Sequence, residues 1–229
     1  LVANGISPCA NATSSMVLTI NPVAVAHAGA DAKICEGSTY QLSGSSAYGY
    51  TSLSWNSSSS GAAGFVPAGT LHPVYTPTAT DITNGSVTLT LTANPYAQCS
   101  AATDAMTLLI TRQPVNDAGA NAQICQNGTF TVNSATSVYD SVHYWTHTGS
   151  GTLNNINTLS PTYIPGAGEA GTVTLTLHSL AYAPCSSVTD NMSLTIHPLP
   201  TASAGPSGFS CQGYNFTISG ATAAHYSSL

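Results

Sequence analysis

Six cysteines are the residues of this chain whose type and spacing point most directly to chemistry. They form pairs separated by 26 residues, and the pairs recur at intervals of 90 and 86 residues: Cys9 and Cys35, Cys99 and Cys125, Cys185 and Cys211. Cysteines in such regular register are typical of a disulfide framework in an oxidising compartment. The sequence has no Cys-x-x-Cys motif and no Cys–His pair at ligand spacing, which argues against a zinc site. We therefore predict that all six cysteines form disulfides.

The spacing leaves the disulfide pairing open between two schemes. In the first scheme, each complete repeat closes its own bond: Cys35 with Cys99, and Cys125 with Cys185. Cys9 and Cys211 then find partners in adjacent repeats or on another chain. In the second scheme, the bonds join cysteines that are near in sequence: Cys9 with Cys35, Cys99 with Cys125, and Cys185 with Cys211. Either scheme requires an oxidising compartment.

Two histidines could contribute to a metal or catalytic site. His143 and His147 flank Trp145 with the period-two spacing that places alternate residues on one face of a strand. The matching positions of the first repeat are Leu53 and Ser57, so the histidine pair is not part of the repeated design. We interpret these histidines as structural and predict no metal site.

The carboxylates are few and suggest backbone roles rather than catalysis. Asp104 and Asp190 each follow a cysteine by five residues, which favours a role in a turn or at the start of a strand. Three further carboxylates lie near the repeat junctions, where oxygen ligands could hold Ca²⁺: Asp31, Glu36 and Asp117. We do not expect Ca²⁺ there, because the chain has no Asp-rich motif and Asn121 replaces Asp31 in the next repeat.

Catalysis and binding of polyanions are both disfavoured by composition. The sequence contains no Gly-x-Ser-x-Gly motif, no phosphate-binding loop and no acidic pair that recurs, so we predict that the chain is not an enzyme and holds no cofactor. Lys33 and Arg112 are the only fixed positive charges, and the net charge is −6. Nucleic acid and a polybasic membrane patch are therefore excluded as main partners. No run of about 18 apolar residues encodes a membrane span.

The elements that must position these residues are repeated along the chain. Ala-Gly-x-Asp/Asn-x-x-Ile-Cys occurs at 28–35 and again at 118–125. This self-similarity divides the chain into the end of one repeat, two complete repeats and the beginning of a fourth: 1–22, 23–112, 113–198 and 199–229. The constant 26-residue junction predicts a fixed arrangement of consecutive domains, and thus a rod. We expect the chain to be a window of a longer array, or a subunit whose ends are completed by neighbours.

Each repeat has the alternation of half-buried strands. Val87, Leu89 and Leu91 alternate with threonines, and clusters of Gly, Pro and Asn interrupt such runs every 8–12 residues. No stretch shows a convincing period of 3.6 residues. These features predict an all-β fold in which each repeat is an antiparallel β-sandwich of about seven strands, with Trp55 and Trp145 in the cores.

The repeated motifs resemble those of a known group of proteins. The Ala-Gly-x-Asp/Asn-x-x-Ile-Cys stretch, followed by Leu-Ser-Gly, Trp, Val-Thr-Leu-Thr-Leu and a late Cys, resembles the immunoglobulin-like and PKD-like tandem repeats of large secreted surface proteins of Bacteroidetes-type bacteria. The Trp-Asp-Phe-Gly-Asp-Gly stretch of PKD modules is missing after Trp55 and Trp145, which favours the immunoglobulin-like group. The resemblance implies tandem immunoglobulin-like sandwiches in an extracellular stalk, adhesin or filament.

Two functions from different classes follow. The first is a structural component of an extracellular fibril or cell-surface stalk, in which copies continue head to tail or adjacent repeats of a longer chain follow one another. The alternative is an adhesive or carbohydrate-binding module, in which exposed aromatic rings stack on sugars. The candidate rings are those of five tyrosines: Tyr48, Tyr50, Tyr96, Tyr182 and Tyr226.

Attached glycans are the one modification that the sequence favours. A surface with so few charges needs another source of hydration, which sugar would supply. Asn-x-Ser/Thr sequons occur at six positions: Asn11, Asn56, Asn84, Asn127, Asn191 and Asn215. Ser141 stands in Asp140-Ser141-Val142, which is similar to the O-glycosylation motif of the resembled bacteria.

Overall fold

The computed structural model describes residues 1–228 and separates them into two compact units, of which the first is Leu1–Ile110 and the second begins at Thr111. Each unit contains one β-sandwich, called here the first sandwich (residues 24–110) and the second sandwich (residues 115–197). The first unit comprises β1 (Val2–Ala3), β2 (Ala12–Thr13), β3 (Val25–His27), β4 (Ala32–Cys35), β5 (Tyr40–Gln41), β6 (Ser46–Tyr48), β7 (Tyr50–Ser57), β8 (Phe65–Val66), β9 (Val74–Tyr75), α1 (Ala79–Asn84), β10 (Ser86–Pro95) and β11 (Ala102–Thr111). The second unit comprises β12 (Val115–Asp117), β13 (Ala122–Cys125), β14 (Phe130–Thr131), β15 (Thr136–Val138), β16 (Asp140–His147), β17 (Thr152–Asn154), β18 (Thr162–Ile164), β19 (Gly171–Ala181), β20 (Val188–His197), β21 (Thr201–Ser203) and β22 (Thr222–Ala224).

The two sandwiches have the same strand order. In the first, a four-stranded sheet β4-β11-β10-β7 accompanies the sheets β5-β9-β8 and β3-β6. In the second, β13-β20-β19-β16 accompanies β14-β18-β17 and β12-β15. The long strands pair antiparallel, whereas β13 runs parallel to β20. The prediction of an all-β chain of tandem β-sandwiches is confirmed. Each sandwich has nine strands rather than about seven, because several of them are pieces of only two or three residues.

The predicted alternation builds both cores. Val87, Leu89 and Leu91 of β10 are buried, while the threonines between them face outward or lie half-buried. Trp55 and Trp145 are 3% and 2% exposed and belong to separate hydrophobic clusters, one in each sandwich. Burial of this apolar surface is the main force that holds each sandwich together.

One short helix was not expected from the sequence. Helix α1 begins after Thr78, whose hydroxyl accepts from the Asp81 amide while the Asp81 carboxylate accepts from the Thr78 amide. The helix ends at Gly85, whose φ of 72° places it in the left-handed region that favours glycine. Six residues are too few to show helical periodicity, so only this capping pattern could have revealed the helix.

The two terminal segments reproduce hairpins of the complete sandwiches. In β21–β22, Thr201 pairs with Ala224, as Val115 pairs with Val138 in β12–β15. In β1–β2, Ala3 pairs with Ala12, which corresponds to a pair of β10 and β11 displaced by 90 residues, Ala93 with Ala102. The segments therefore have the local structure of their counterparts, but residues 1–20 are exposed throughout and residues 199–228 nearly so.

Candidate functional site

Cys35 and Cys125 are the last residues of the short strands β4 and β13, each of which lies beside the last strand of its sandwich. Cys211 is their counterpart in the C-terminal segment. These three residues are called here the strand-end cysteines. Each is followed by the same turn, in which its carbonyl accepts an amide three residues later, from Ser38, Gly128 and Tyr214. The residue two positions after each cysteine has a positive φ, and it is Gly37, Asn127 or Gly213. Glycine and asparagine are the residues that tolerate this conformation, so the local sequence dictates the turn.

The other three cysteines lie in, or correspond to, the loop before the last strand and are called the loop cysteines: Cys9, Cys99 and Cys185. Their amides donate to a carbonyl three residues earlier, that of Ile6, Tyr96 and Tyr182 respectively, at 2.8–3.1 Å. In the second sandwich, Cys185 Sγ lies 3.4 Å from the carbonyl oxygen of Thr111, the first residue of that unit. The loop cysteine therefore marks the end of the sandwich at which the chain enters it.

The strand-end cysteine lies at the opposite end of the same sandwich. Cys125 is in register with His197, the last residue of β20, whereas Cys185 precedes the first residue of that strand. Ten residues of strand span about 30 Å, but a disulfide requires Cα atoms within about 7 Å. A bond between Cys125 and Cys185 within one sandwich is therefore geometrically excluded.

The structure accordingly contains neither predicted pairing. Cys35 and Cys185 are disulfide-bonded, while four cysteines are free thiols: Cys9, Cys99, Cys125 and Cys211. Both the pairs within repeats and the pairs of near neighbours would need Cys99 and Cys125 to be oxidised. The parallel pairing of β13 with β20 places Cys125 at the end of the sandwich opposite Cys185. The spacing of the cysteines in the sequence gives no indication of this strand direction. The oxidised residues are one strand-end cysteine and one loop cysteine, from different repeats.

The recurring aspartates hold the first strand segment of each sandwich. The Asp104 carboxylate accepts from the Ala28 amide at 2.8 Å, and Asp190 accepts from the Ala118 amide at 2.7 Å. Because Asp104 accepts this amide and a further bond from His27 Nδ1, its pKa lies below the ordinary value. The expected backbone role is present, but it joins distant segments instead of forming a local turn.

Asp31 and Asn121 make the same contact in the two sandwiches. Asp31 Oδ1 accepts from the Thr107 amide at 2.7 Å, and Asn121 Oδ1 accepts from the Ser193 amide at 2.8 Å. The contact needs a side-chain oxygen and no charge, which explains the Asp-to-Asn exchange between repeats. Among residues 1–228 no group of three or more His, Cys, Asp or Glu side chains could hold a metal ion.

Replacing Asp31 tests this interpretation. We expect Asp31→Asn to change the free energy of unfolding by less than about 0.5 kcal/mol, while Asp31→Ala costs about 1 kcal/mol because one hydrogen bond is lost. Urea titration of both variants measures the difference. A large loss in Asp31→Asn would show that the charge itself matters at this position.

The histidines of β16 have local partners. His143 Nδ1 lies 2.9 Å from Asp140 Oδ2, and the ring of His147 meets the ring of Tyr163 edge to face at 5.2 Å between centroids. Tyr163 belongs to the hydrophobic cluster of the second sandwich, as Trp145 does. Both contacts lie within the second sandwich.

One recurring pair of acids went unrecognised in the sequence. Asp81 accepts from the hydroxyl of Tyr75 at 2.8 Å, and Glu169 accepts from the hydroxyl of Tyr163 at 2.8 Å. Both acids stand six residues after their tyrosine, so alignment on the tyrosines would have found them. The two acids differ in length, which hid the correspondence from a search for identical residues.

The candidate modification and sugar-binding residues are mostly accessible. Ser141 and all six sequon asparagines are exposed: Asn11, Asn56, Asn84, Asn127, Asn191 and Asn215. Tyr48, Tyr96, Tyr182 and Tyr226 are exposed, whereas Tyr50 packs against the first core. Tyr96 and Tyr182 occupy equivalent loops of different sandwiches.

The terminal segments expose side chains that the sandwiches bury. Met16, Leu18 and Ile20 are 75–85% exposed. Their counterparts in β11 and β20 are at most 4% exposed: Met106, Leu108, Ile110, Met192, Leu194 and Ile196. Phe216 and Ile218 are likewise exposed, although Val132, the counterpart of Ile218, is buried. No helix among residues 1–228 is long and apolar enough to cross a membrane.

Comparison with known proteins finds similarity in three-dimensional structure only. No family model matches the sequence, and no curated protein matches it. The chain is similar to a Sidekick-1 fragment of four immunoglobulin domains, with 15% identity over 78% of this chain, 50% of that chain and a TM-score of 0.45. It is also similar to a human protocadherin-24 fragment, with 12% identity over 79% of this chain, 100% of that chain and a TM-score of 0.45. A titin fragment of three immunoglobulin domains shows 13% identity over 78% of this chain, 65% of that chain and a TM-score of 0.40. This chain thus spans half the length of the Sidekick-1 fragment.

Proposed function

We propose that this chain is a structural component of an extracellular fibril or cell-surface stalk, in which immunoglobulin-like repeats continue head to tail. The observation that carries the proposal is the exposure of Met16, Leu18 and Ile20, whose counterparts in both sandwiches form the core. Contiguous exposed apolar side chains of this kind mark a surface that another chain covers.

The partner that fits this segment is residues 201–224 of a second copy. In the second sandwich β13 pairs with the last strand β20, which supplies Met192, Leu194 and Ile196 to the core. Residues 208–211, the counterparts of β13, pair with no strand among residues 1–228. Residues 12–20 carry the pattern of that last strand, so strand addition between copies satisfies both segments.

The chemistry of the surface supports a place outside the cell. A disulfide at Cys35 and Cys185 favours an oxidising compartment. Ser141 is exposed and accessible to O-linked sugar, and the six sequon asparagines are equally accessible. The resemblance to secreted surface proteins of Bacteroidetes-type bacteria agrees with this place. Glycans on these residues would hydrate a surface that has only two fixed positive charges, Lys33 and Arg112.

Electron microscopy of the purified full chain tests the assembly. We expect filaments of the unmodified chain, and we expect Leu18→Asp to weaken assembly about 30-fold, because burying one Leu is worth about 2 kcal/mol. Thr19→Asp is the matched control, since it places the same charge on the opposite face of the segment. The fold of both variants should be unchanged in circular dichroism, because residues 16–20 are exposed. Monodisperse single chains at all concentrations would contradict the proposal.

The alternative is an adhesive module that binds carbohydrate. The observation in its favour is the exposure of Tyr48, Tyr182 and Tyr226, each half or more accessible. Aromatic rings on a wet surface can stack on sugars. A glycan-array signal that disappears in Tyr182→Ala would favour this function over a purely structural one.

A further inference from the structure

The positions of the free thiols extend the proposed head-to-tail assembly to its covalent chemistry. Cys125 lies at the end of the second sandwich where the chain leaves it, in register with His197. Cys185 lies at the end where the chain enters, next to Thr111. The strand-end and loop cysteines of the second sandwich therefore lie at its opposite ends and cannot pair with each other.

Oxidation of these two positions is seen in the structure itself. Cys35 and Cys185 are a strand-end and a loop cysteine, and both are disulfide-bonded. The remaining strand-end cysteines, Cys125 and Cys211, are exposed free thiols. The remaining loop cysteines are Cys9, which is exposed, and Cys99, which is half-buried. Each unpaired thiol thus has the same turn and the same place in its repeat as a residue that is oxidised.

The surface around Cys125 leaves room for a partner. The thiol lines an open groove together with His197, Pro198 and Tyr226 of the same unit. The turn after it is closed by the Gly128 amide, which donates to the Cys125 carbonyl at 2.9 Å, and Cys125 itself is exposed. A loop carrying a second cysteine can therefore approach without disturbing the core.

We propose that Cys125 forms an intermolecular disulfide with Cys9 of a second copy of this chain, and that Cys211 forms one with Cys99 of the same second copy. This inference rests on the proposed function, because residues 1–22 must lie against residues 199–228 of the neighbouring copy. Cys9 is then the loop cysteine of the repeat that follows Cys125, and Cys99 is the loop cysteine of the next one. Each of the two proposed bonds joins one strand-end and one loop cysteine.

Each bond forms by two exchange steps with a small-molecule disulfide. A thiolate, for example that of Cys125, attacks the small disulfide, forms a mixed disulfide and releases one small thiol. The Cys9 thiolate of the second copy then attacks the protein sulfur of the mixed disulfide and releases the second small thiol. Two protein thiols are oxidised to one disulfide, and one small disulfide is reduced to two thiols.

The test treats the full chain with oxidised glutathione, blocks remaining thiols with N-ethylmaleimide and separates the products by non-reducing electrophoresis. We expect a ladder of covalently linked copies that collapses to one band on reduction. Peptic digestion at acidic pH, where disulfides do not exchange, should give linked peptides that contain Cys9 with Cys125 and Cys99 with Cys211. Linked peptides of any other composition among these four cysteines would overturn the pairing.

Two double variants make the test directional. Cys125→Ser/Cys211→Ser retains only loop thiols, and Cys9→Ser/Cys99→Ser retains only strand-end thiols. Either variant alone should therefore form at least ten-fold less covalently linked product than the unmodified chain. Mixing the two variants should restore linkage, but only to dimers. Gln123→Ser, which alters the exposed face of β13 beside Cys125, is the matched control and should keep the full ladder. A ladder in either double variant alone would show that like positions pair and would overturn the inference.

The outcome separates this inference from the proposed function. Filaments that form without a ladder, or that persist unchanged in both double variants while the linked peptides are absent, overturn the disulfides and leave the head-to-tail assembly intact. A ladder with the expected linked peptides supports the inference.

Discussion

Replacing Trp145 with alanine should destabilise the second sandwich by about 3–5 kcal/mol, the usual cost of removing a buried aromatic side chain. Trp145 is 2% exposed and lies in the cluster formed by Leu175, Leu177 and Met192. Its Nε1 also donates to the Thr158 carbonyl at 3.0 Å. Alanine would leave a cavity and remove the hydrogen bond to the Thr158 carbonyl, and a loss of that size is comparable to the whole stability of a small domain.

The two tryptophans allow each sandwich to be followed separately. Trp55→Phe leaves Trp145 as the only tryptophan, so its fluorescence reports the second sandwich during urea unfolding. Trp145→Phe leaves Trp55 as the reporter of the first sandwich. The buried Nε1 of Trp55 has no hydrogen-bond partner among the described residues, unlike that of Trp145.

Trp145→Phe should therefore cost about 1 kcal/mol more than Trp55→Phe, because only the former loses a hydrogen bond. Total unfolding measured by circular dichroism gives the comparison. A second sandwich that unfolds at the same urea concentration with and without Trp145 would contradict the role of this side chain in the core.

The fold was predictable because its signals are local and repeated. Alternation in the segment around Leu89 places one face of β10 inside, and the copy of that pattern at 172–177 predicts the same face of β19. The periodic cysteines and the recurring tryptophans assigned equivalent positions to the two repeats. Burial of one face of each strand follows from such patterns without knowledge of the partner strands.

The disulfide pairing was not predictable because it depends on the direction of one strand. Cys125 and Cys185 are compatible with a bond on spacing alone, but the parallel register of Cys125 with His197 separates them by the length of β20. The choice between parallel and antiparallel pairing of a four-residue strand leaves no mark on the sequence. The contacts of Asp104 and Asp31 join segments that are far apart in the sequence. They also depend on how strands pair, which local sequence patterns do not show.

The second large effect is expected at Asp81, whose replacement with alanine should destabilise the first sandwich by about 3 kcal/mol. Asp81 is fully buried and its Oδ2 accepts from the Tyr75 hydroxyl, the Thr78 hydroxyl and the Thr78 amide at 2.8–2.9 Å. Alanine would remove the charged acceptor of the Tyr75 hydroxyl and of the two Thr78 donors. Hydrogen bonds to a charged group contribute about 1.5–3 kcal/mol each.

The equivalent residue of the second sandwich supplies a matched control. Glu169 accepts from the Tyr163 hydroxyl and from the amides of Ser150 and Gly166 at 2.7–3.0 Å. Glu169 is only half-buried, so water can take over part of its role after truncation. Glu169→Ala should therefore cost less than Asp81→Ala, although both acids bind the same part of their sandwich. Fluorescence of Trp55 in the Trp145→Phe background measures the first loss, and fluorescence of Trp145 in the Trp55→Phe background measures the second.

The charge of Asp81 also sets a dependence of stability on pH. Burial raises the pKa of Asp81, but hydrogen bonds from Ser59, Thr78 and Tyr75 outweigh it, and the pKa lies below its ordinary value. A carboxyl whose pKa is lower in the folded state stabilises the fold fully above its unfolded pKa of about 3.9, and the contribution disappears as the pH falls through the folded pKa. The first sandwich should thus lose stability below about pH 4.

Asp81→Asn tests the sign of this dependence. Asparagine keeps one acceptor oxygen but does not titrate, so the variant should be less stable than the natural chain at pH 7 and should lose less stability between about pH 4 and pH 2. Urea titrations at pH 7, 4 and 2, read from Trp55 fluorescence, give both slopes. Equal slopes for the two proteins would show that acid unfolding of this sandwich begins at other carboxylates, such as Asp104, whose pKa is also lowered. Asp104→Asn would then show the smaller slope, because asparagine does not titrate and removes the contribution of the lowered Asp104 pKa.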